Sequence, residues 1–451
     1  MMRIHFIAIG GSAMHNLAIA LHKKGEIVTG SDDVISEPSY SRLARFGLIP
    51  EKMGWNEELI TPDLDAVILG MHAFVDNPEL LKAKALGLKI YSYPEYIYEQ
   101  SKDKLRVVIG GSHGKTTITS MILHVLNFYN RDFDYLVGAQ LEGFDTMVKV
   151  TAEAPLIIIE GDEYLASPID RRPKFHLYKA DIAVISGIAW DHINVFPTFE
   201  NYIQQFDVFI NTIQPNGKLI YCKTDPVLVD VIAKSDVEIE KIPYAIPEHD
   251  IRDGVTRLLP EEIPLNIFGD HNLMNLSAAK LVCGQLGIPA ADFDASISTF
   301  KGAAKRLELL LSEKDTNVYK DFAHSPSKLK ATIEAVKSQF VGRKLVACIE
   351  LHTFSSLNKD FLLQYEHTMD MADEAIVYIN EKTFQQKKIT AFSEIEVQKA
   401  FKNVRLQFFN DALNFEKYLL SLKFNNTNLL LMSSGNFGGI DLVKLAQELT
   451  K

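Results

Sequence analysis

Val107-Val-Ile-Gly-Gly-Ser-His-Gly-Lys-Thr-Thr117 is the stretch that decides the fold. An apolar strand pattern over 105–109 breaks at a glycine-rich turn, and Lys115-Thr116 opens a helix pattern that runs to residue 127. That order makes a phosphate cradle. Glycines let backbone N–H groups approach an anion, the helix N-terminus adds the positive end of its dipole, a lysine neutralises charge, and a threonine hydroxyl can hold Mg2+. The residues expected around the phosphates are Gly111, Ser112, His113, Gly114, Lys115, Thr116 and Thr117. The turn departs from the common spacing of such loops: Ile109 stands five residues before Gly114, and the glycines are Gly110 and Gly111.

Short apolar runs alternate with helix-like segments on both sides of this turn, as βαβ units around parallel sheets require. Upstream, 4–9, 26–30, 66–69 and 89–91 read as strands, with helices over 14–24 and 40–46. Downstream, 156–159 and 182–185 are wholly apolar, which suits strands buried on both faces. Between 217 and 267 five prolines (226, 243, 247, 260, 264) point to loops and short antiparallel strands, and a new helix begins near Asp270. Past Arg306 the alternation resumes, with strands at 317–322, 344–349 and 429–432 and a helix at 327–339. The expected fold is α/β in three domains: N-terminal Rossmann-like over 1–102, central P-loop ATPase-type over 103–304, and C-terminal Rossmann-like over 305–451.

Length agrees, since 451 residues at about 150 per domain give about three. With 47% hydrophobic and 23% charged residues the composition is that of a folded globular chain, not a disordered one. A formal net charge of −11 argues against non-specific nucleic-acid binding. Three scattered cysteines, Cys222, Cys283 and Cys348, carry no pairing or zinc spacing, and no run reaches the roughly eighteen apolar residues of a membrane span. A cytoplasmic protein without nucleic-acid or membrane partners, monomeric or weakly homo-oligomeric, is expected.

Further residues point to chemistry. Leu156-Ile-Ile-Ile-Glu-Gly-Asp-Glu163 puts Glu160 at the carboxyl end of an apolar strand, and the strand 182–185 leads to Trp190-Asp191-His192. In an open parallel sheet ligands sit at those ends, and a carboxylate and an imidazole beside the loop threonine make a hard-metal site for phosphoryl transfer. Taken singly, each is more often a solvated acid or a structural histidine, and the phosphate loop beside them turns the reading toward a metal site. Phe268-Gly-Asp-His-Asn-Leu-Met-Asn275 sets Asn272 and Asn275 three apart at the head of a helix, suited to an adenine edge or, as well, to capping. Ile9-Gly-Gly-Ser-Ala-Met14 after the first strand, with Asp32 about twenty residues on, reads as a nucleotide-diphosphate turn or as a plain glycine turn.

The ordered set is similar to one family across nearly the whole chain, the ATP-dependent Mur ligases. The elements are Gly10-Gly-Ser-Ala-Met14, Gly111 to Thr117, Glu160-Gly-Asp-Glu163, Asp191-His192, His271-Asn-Leu-Met-Asn275, Arg306 and Asp321-Phe-Ala-His-Ser-Pro326. Within the family, Asp162-Glu-Tyr164, Asp170-Arg-Arg-Pro-Lys-Phe175, Asp321-Phe-Ala-His324 and Met432-Ser-Ser-Gly-Asn-Phe-Gly-Gly-Ile440 resemble the murein peptide ligase branch. Leu351-His-Thr-Phe354 looks more like the sister branch that adds L-alanine.

The resemblance implies an amide ligase with ATP and Mg2+ as cofactors. The carboxylate of UDP-N-acetylmuramate would be phosphorylated to an acyl phosphate, then attacked by the amine of L-alanyl-γ-D-glutamyl-meso-diaminopimelate in peptidoglycan recycling. The alternatives are the L-alanine ligase of peptidoglycan biosynthesis and a non-catalytic sensor of UDP-muramyl precursors. It implies Lys115 on the β- and γ-phosphates, Thr116, Glu160 and His192 as metal ligands, and Arg306 on the γ-phosphate. Asn272, Asn275, Asp321 and His324 would frame adenine and ribose. Gly10, Gly11, Ser12, Ala13, Met14 and Asp32 would hold the UDP portion, and the third domain would close over ATP and contact the acceptor.

Overall fold

Strand Leu105–Gly110 lies at the centre of a seven-stranded sheet, flanked in parallel register by Leu156–Glu160 on one side and Ile182–Ile185 on the other. The computed structural model describes residues 1–190, 195–303, 306–387 and 390–449. They divide into two units, Met1–Ile188, Glu200–Ala245 and Ala278–Ala290 in the first, Ala189–Phe199, Ile246–Ser277 and Ala291–Lys451 in the second.

The first unit holds two sheets. Its N-terminal sheet has four parallel strands in the order Ile27–Ser31, Arg3–Ile7, Ala66–Leu69, Ile90–Ser92. Ala66–Leu69 is buried along its whole length, as an all-apolar strand sandwiched between helices must be. Helix Tyr93–Ser101 follows through a capping box, in which Ser92 and Glu95 satisfy each other's backbone N–H groups. The seven-stranded sheet runs Glu240–Tyr244, Lys218–Cys222, Ile182–Ile185, Leu105–Gly110, Leu156–Glu160, Asp134–Leu136, Val148–Lys149, with only the last strand antiparallel.

The stretch read as loops and short antiparallel strands from 217 begins instead as a further βαβ unit: Lys218–Cys222, helix Pro226–Lys234 and Glu240–Tyr244, both strands parallel to the sheet. The prolines are compatible with it. Pro226 is at the first turn of a helix capped by Asp225, and Pro243 is in the edge strand, where a missing N–H breaks no ladder on the outer side. Antiparallel pairing does occur further on, in the three strands His249–Arg252, Val255–Leu258 and Ile263–Leu265 of the second unit.

Helix Phe199–Asn211 supplies the packing beneath the glycine turn. Tyr202, Phe206, Phe209 and Ile210 form its buried stripe, and Phe209 stacks on Phe175 at 4.6 Å. A side chain at Gly110 would meet the Phe209 ring at 3.1 Å, so a larger residue there would displace the turn from its floor. His176 adjoins this cluster, its Nε2–H donating to the Gln205 carbonyl at 2.7 Å. Burial, aided by Arg172, pushes the His176 imidazole down from 6.5 to about 4, although the bond to Gln205 pulls the other way.

The folded state therefore keeps this ring neutral where the unfolded chain protonates it. Its contribution is whole above pH 6.5 and shrinks as pH falls toward 4, by up to about 3 kcal/mol. Urea unfolding of the parent should weaken more steeply between pH 7 and 4.5 than that of His176→Gln; equal slopes would contradict the assignment.

The second unit carries a six-stranded sheet in the order Glu308–Glu313, Thr316–Asp321, Thr427–Met432, Lys344–Glu350, Glu374–Tyr378, Gln407–Phe409, antiparallel only at its first edge. Thr427–Met432 is buried at all six positions, and apolar clusters cover both faces of the sheet. The fold is α/β with parallel-rich sheets. No helix among the described residues is long and apolar enough to cross a membrane.

Candidate active site

The glycine turn connects strand Leu105–Gly110 to helix Lys115–Phe128, and its backbone demands glycine at two positions. Gly111 has φ +120°, and a Cβ there would lie 2.2 Å from Ser186 Oγ; Gly114 has φ +80° just before the helix. The turn rests on the end of the neighbouring strand. Ser112 N–H donates to the Gly187 carbonyl at 3.0 Å, Ser186 N–H donates to the Gly110 carbonyl at 3.2 Å, and Ser186 Oγ also bonds the His113 carbonyl. Asp225 braces this rail, accepting the Ile188 N–H at 2.7 Å while capping helix Pro226–Lys234.

Register brings the acids to the turn. Ile109 pairs with Glu160 across parallel strands, so Glu160 emerges beside Thr116, whose hydroxyl donates to Glu160 Oε1 at 2.8 Å. Glu160 Oε2 accepts the Gly138 N–H at 2.7 Å. Lys115 donates to the Gly111 carbonyl at 2.7 Å and to Glu163 Oε2 at 2.6 Å. Burial alone would lower the pKa of the Lys115 ammonium, but Glu163, Asp162 and Glu160 outweigh it and hold the group above its ordinary value. Asp162 is likewise pushed up by burial yet brought down to about 2 by Lys174, 2.6 Å away, and by Lys115. At neutral pH the Lys115 ammonium and the Asp162 carboxylate are therefore both charged. A hydroxyl and a carboxylate oxygen side by side are hard donors that fit Mg2+. His192, the other expected metal ligand, lies outside the described residues, as does Asp191.

The expected N-terminal turn is also in the first unit. Gly11 precedes helix Ser12–Lys23, in which Met14 is buried, and Asp32 directly follows the adjacent strand Ile27–Ser31. One Asp32 oxygen accepts the Gly10 N–H at 2.7 Å, so this acid is a brace of the turn. Burial raises its pKa, with that bond opposing.

The second unit gathers the remaining expected residues. Asn272 and Asn275 are buried in the first turns of helix Asp270–Gln285, Asn272 donating to the Phe268 carbonyl at 3.0 Å. Asp321, at the end of Thr316–Asp321, accepts from Leu307 N–H at 2.9 Å and Thr332 Oγ1 at 2.8 Å. Arg306 stacks its guanidinium on Phe322 at 4.6 Å, and the His324 ring meets the same phenyl edge-on at 5.2 Å. His271, in the same helix turn, has its Nδ1 buried without a hydrogen-bond partner, and burial lowers its pKa against the pull of Asp321 and Asp270.

Ser186, Gly138, Tyr202 and Asp225 complete the P-loop surroundings, and no motif or spacing marks them in advance. Each comes from a segment 24 or more residues away from Gly114 and is brought to the site only by the tertiary fold.

The family descriptions "Mur ligase family, catalytic domain" and "Mur ligase middle domain" match residues 3–104 and 109–283. The UDP-N-acetylmuramate–L-alanine ligase of a Sulfurihydrogenibium species is 31% identical over 384 residues, 83% of this chain and 82% of that protein. The chain belongs to the Mur ligase family. It is an ATP-dependent ligase that forms an amide bond. The corresponding L-alanine ligase of Caldicellulosiruptor bescii is 32% identical over 393 residues, 84% of this Mur ligase and 83% of its own length. Two solved structures share the fold. The UDP-N-acetylmuramate–alanine ligase of Thermotoga maritima has a TM-score of 0.69 at 19% identity, covering 100% of this chain and 98% of that one. The murein peptide ligase of Psychrobacter arcticus has 0.64 at 22%, covering 100% and 99%.

Proposed function

We propose that this Mur ligase joins L-alanine to UDP-N-acetylmuramate, in the cytoplasm, with ATP and Mg2+. The observation that carries the acceptor is the identity of 31% and 32%, over more than four fifths of the chain, to L-alanine ligases. It moves the reading away from the tripeptide acceptor expected from the sequence. The same reading keeps three domains with boundaries near residues 102 and 304.

In this scheme the muramate carboxylate attacks the γ-phosphorus of ATP, ADP leaves, and an acyl phosphate forms. The acceptor amine then attacks the carbonyl carbon, loses a proton, and expels inorganic phosphate. Phosphorylation is required because a carboxylate oxygen is a poor leaving group. The protein's part is to hold anions together and offset their repulsion. Lys115 would lie on the β- and γ-phosphates inside the loop Gly111 to Thr117, whose Ser112 N–H is held by the Gly187 carbonyl while the other N–H groups would serve the phosphates. Thr116, Glu160 and His192 would hold Mg2+, which supplies charge neutralisation of the phosphates when bound. Arg306, Asn272, Asn275, Asp321 and His324 would serve the nucleotide, and Gly10 to Met14 with Asp32 the UDP portion.

A second reading keeps L-alanyl-γ-D-glutamyl-meso-diaminopimelate as acceptor. It rests on the stretch from Asp162 to Phe175, a loop fastened next to the acids by Lys174 on Asp162 and by Arg172 on Asp170, both at 2.6 Å. The mass of the nucleotide product decides between them. UDP-N-acetylmuramate incubated with both acceptors at equal concentration should gain one alanine residue; gain of the tripeptide mass alone would install the second reading.

A further inference from the structure

Lys115 is engaged within the protein by a partner for which the family reading has no task. Glu163, whose side chain is 1% exposed, takes the Lys115 ammonium at 2.6 Å. Its other oxygen accepts the Tyr202 hydroxyl at 3.3 Å, and that hydroxyl is 2.9 Å from Ser112 Oγ in the glycine turn itself. Turn, acidic segment and helix Phe199–Asn211 are thus joined in one polar ring around the lysine. A buried ammonium requires a counter-charge, yet a carboxylate and a phosphate on the same ammonium repel each other.

We propose that Glu163 is a positioning residue of the ATP site: it occupies Lys115 as a counter-ion until a nucleotide phosphate displaces it, and Tyr202 then holds the released carboxylate. This rests on the glycine turn being the ATP site. The exchange lowers the apparent nucleotide affinity by the fraction of Lys115 left available, because only the released lysine binds phosphate. In return the lysine is kept aimed along the turn.

Opposite shifts follow for two substitutions. Glu163→Gln keeps the shape and an acceptor for Tyr202 but removes the competing charge, so ADP should bind about tenfold tighter while kcat falls about tenfold as the lysine loses its guide. Tyr202→Phe removes the hydroxyl that donates to Glu163, ties that carboxylate more firmly to Lys115, and should weaken ADP about threefold. Titration calorimetry with ADP and Mg2+, together with kcat and KM for ATP, reads both. A purely structural role would weaken both variants alike. Unchanged or weaker ADP binding in folded Glu163→Gln would overturn the proposal, as would tighter binding in Tyr202→Phe. Lys115→Ala in the same titration separates the premise: parent-like ADP binding there would overturn the placement of ATP itself.

Discussion

Lys115→Ala should release ADP at less than about one thousandth of the parent's rate while binding UDP-N-acetylmuramate as the parent does. The ammonium sits at the head of helix Lys115–Phe128, held between the Gly111 carbonyl and Glu163. Transfer of the γ-phosphoryl group to a carboxylate brings two anions together, and a positive charge placed on the phosphates offsets repulsion that rises toward the transition state. The proposed donor contacts, Gly10 to Met14, lie in the turn and helix start that follow strand Arg3–Ile7 of the other sheet of the first unit, which explains why donor affinity should survive. Removing the lysine also leaves Glu163 buried without its counter-ion, a change that costs about 3–5 kcal/mol in folding. The double variant Lys115→Ala, Glu163→Gln removes that cost and should remain as inactive. Turnover within tenfold of the parent in either variant would sink the assigned site.

Glu160→Gln carries the second large effect. Both oxygens of Glu160 already accept hydrogen bonds, from the Thr116 hydroxyl and from the Gly138 N–H. An amide must turn its NH2 toward one of these donors, and it also lacks the charge that a hard cation seeks. We expect kcat to fall about a hundredfold and the Mg2+ concentration for half-maximal rate to rise. Steady-state rates over a Mg2+ titration give both quantities. A parent-like Mg2+ dependence would remove Glu160 from the metal site.

The central part of the fold was legible because one local pattern, strand, glycine turn and helix, has few physical solutions. Once Leu105–Gly110 is a buried parallel strand, Leu156–Glu160 beside it delivers Glu160 to the turn. The segment from Lys218 to Tyr244 was less legible. Its prolines suggest irregular chain, and only the sheet order shows that Pro243 sits on an edge. Side-chain alliances were hidden for another reason. Tyr202 and Ser112 are 90 residues apart, and nothing in a single sequence ties a tyrosine in an amphipathic helix to a serine in a turn. Asp32 is legible in part: its spacing marks an acid at the N-terminal turn, and only the fold shows that one of its oxygens holds the Gly10 N–H.

Phosphate release with ATP and Mg2+ tests the whole account most directly, measured with UDP-N-acetylmuramate and L-alanine each present alone and then together. The account predicts sustained release only when donor and acceptor are both present, because the acyl phosphate forms on one and is consumed by the other. Equal release with the donor omitted, or no release with both present, would contradict it.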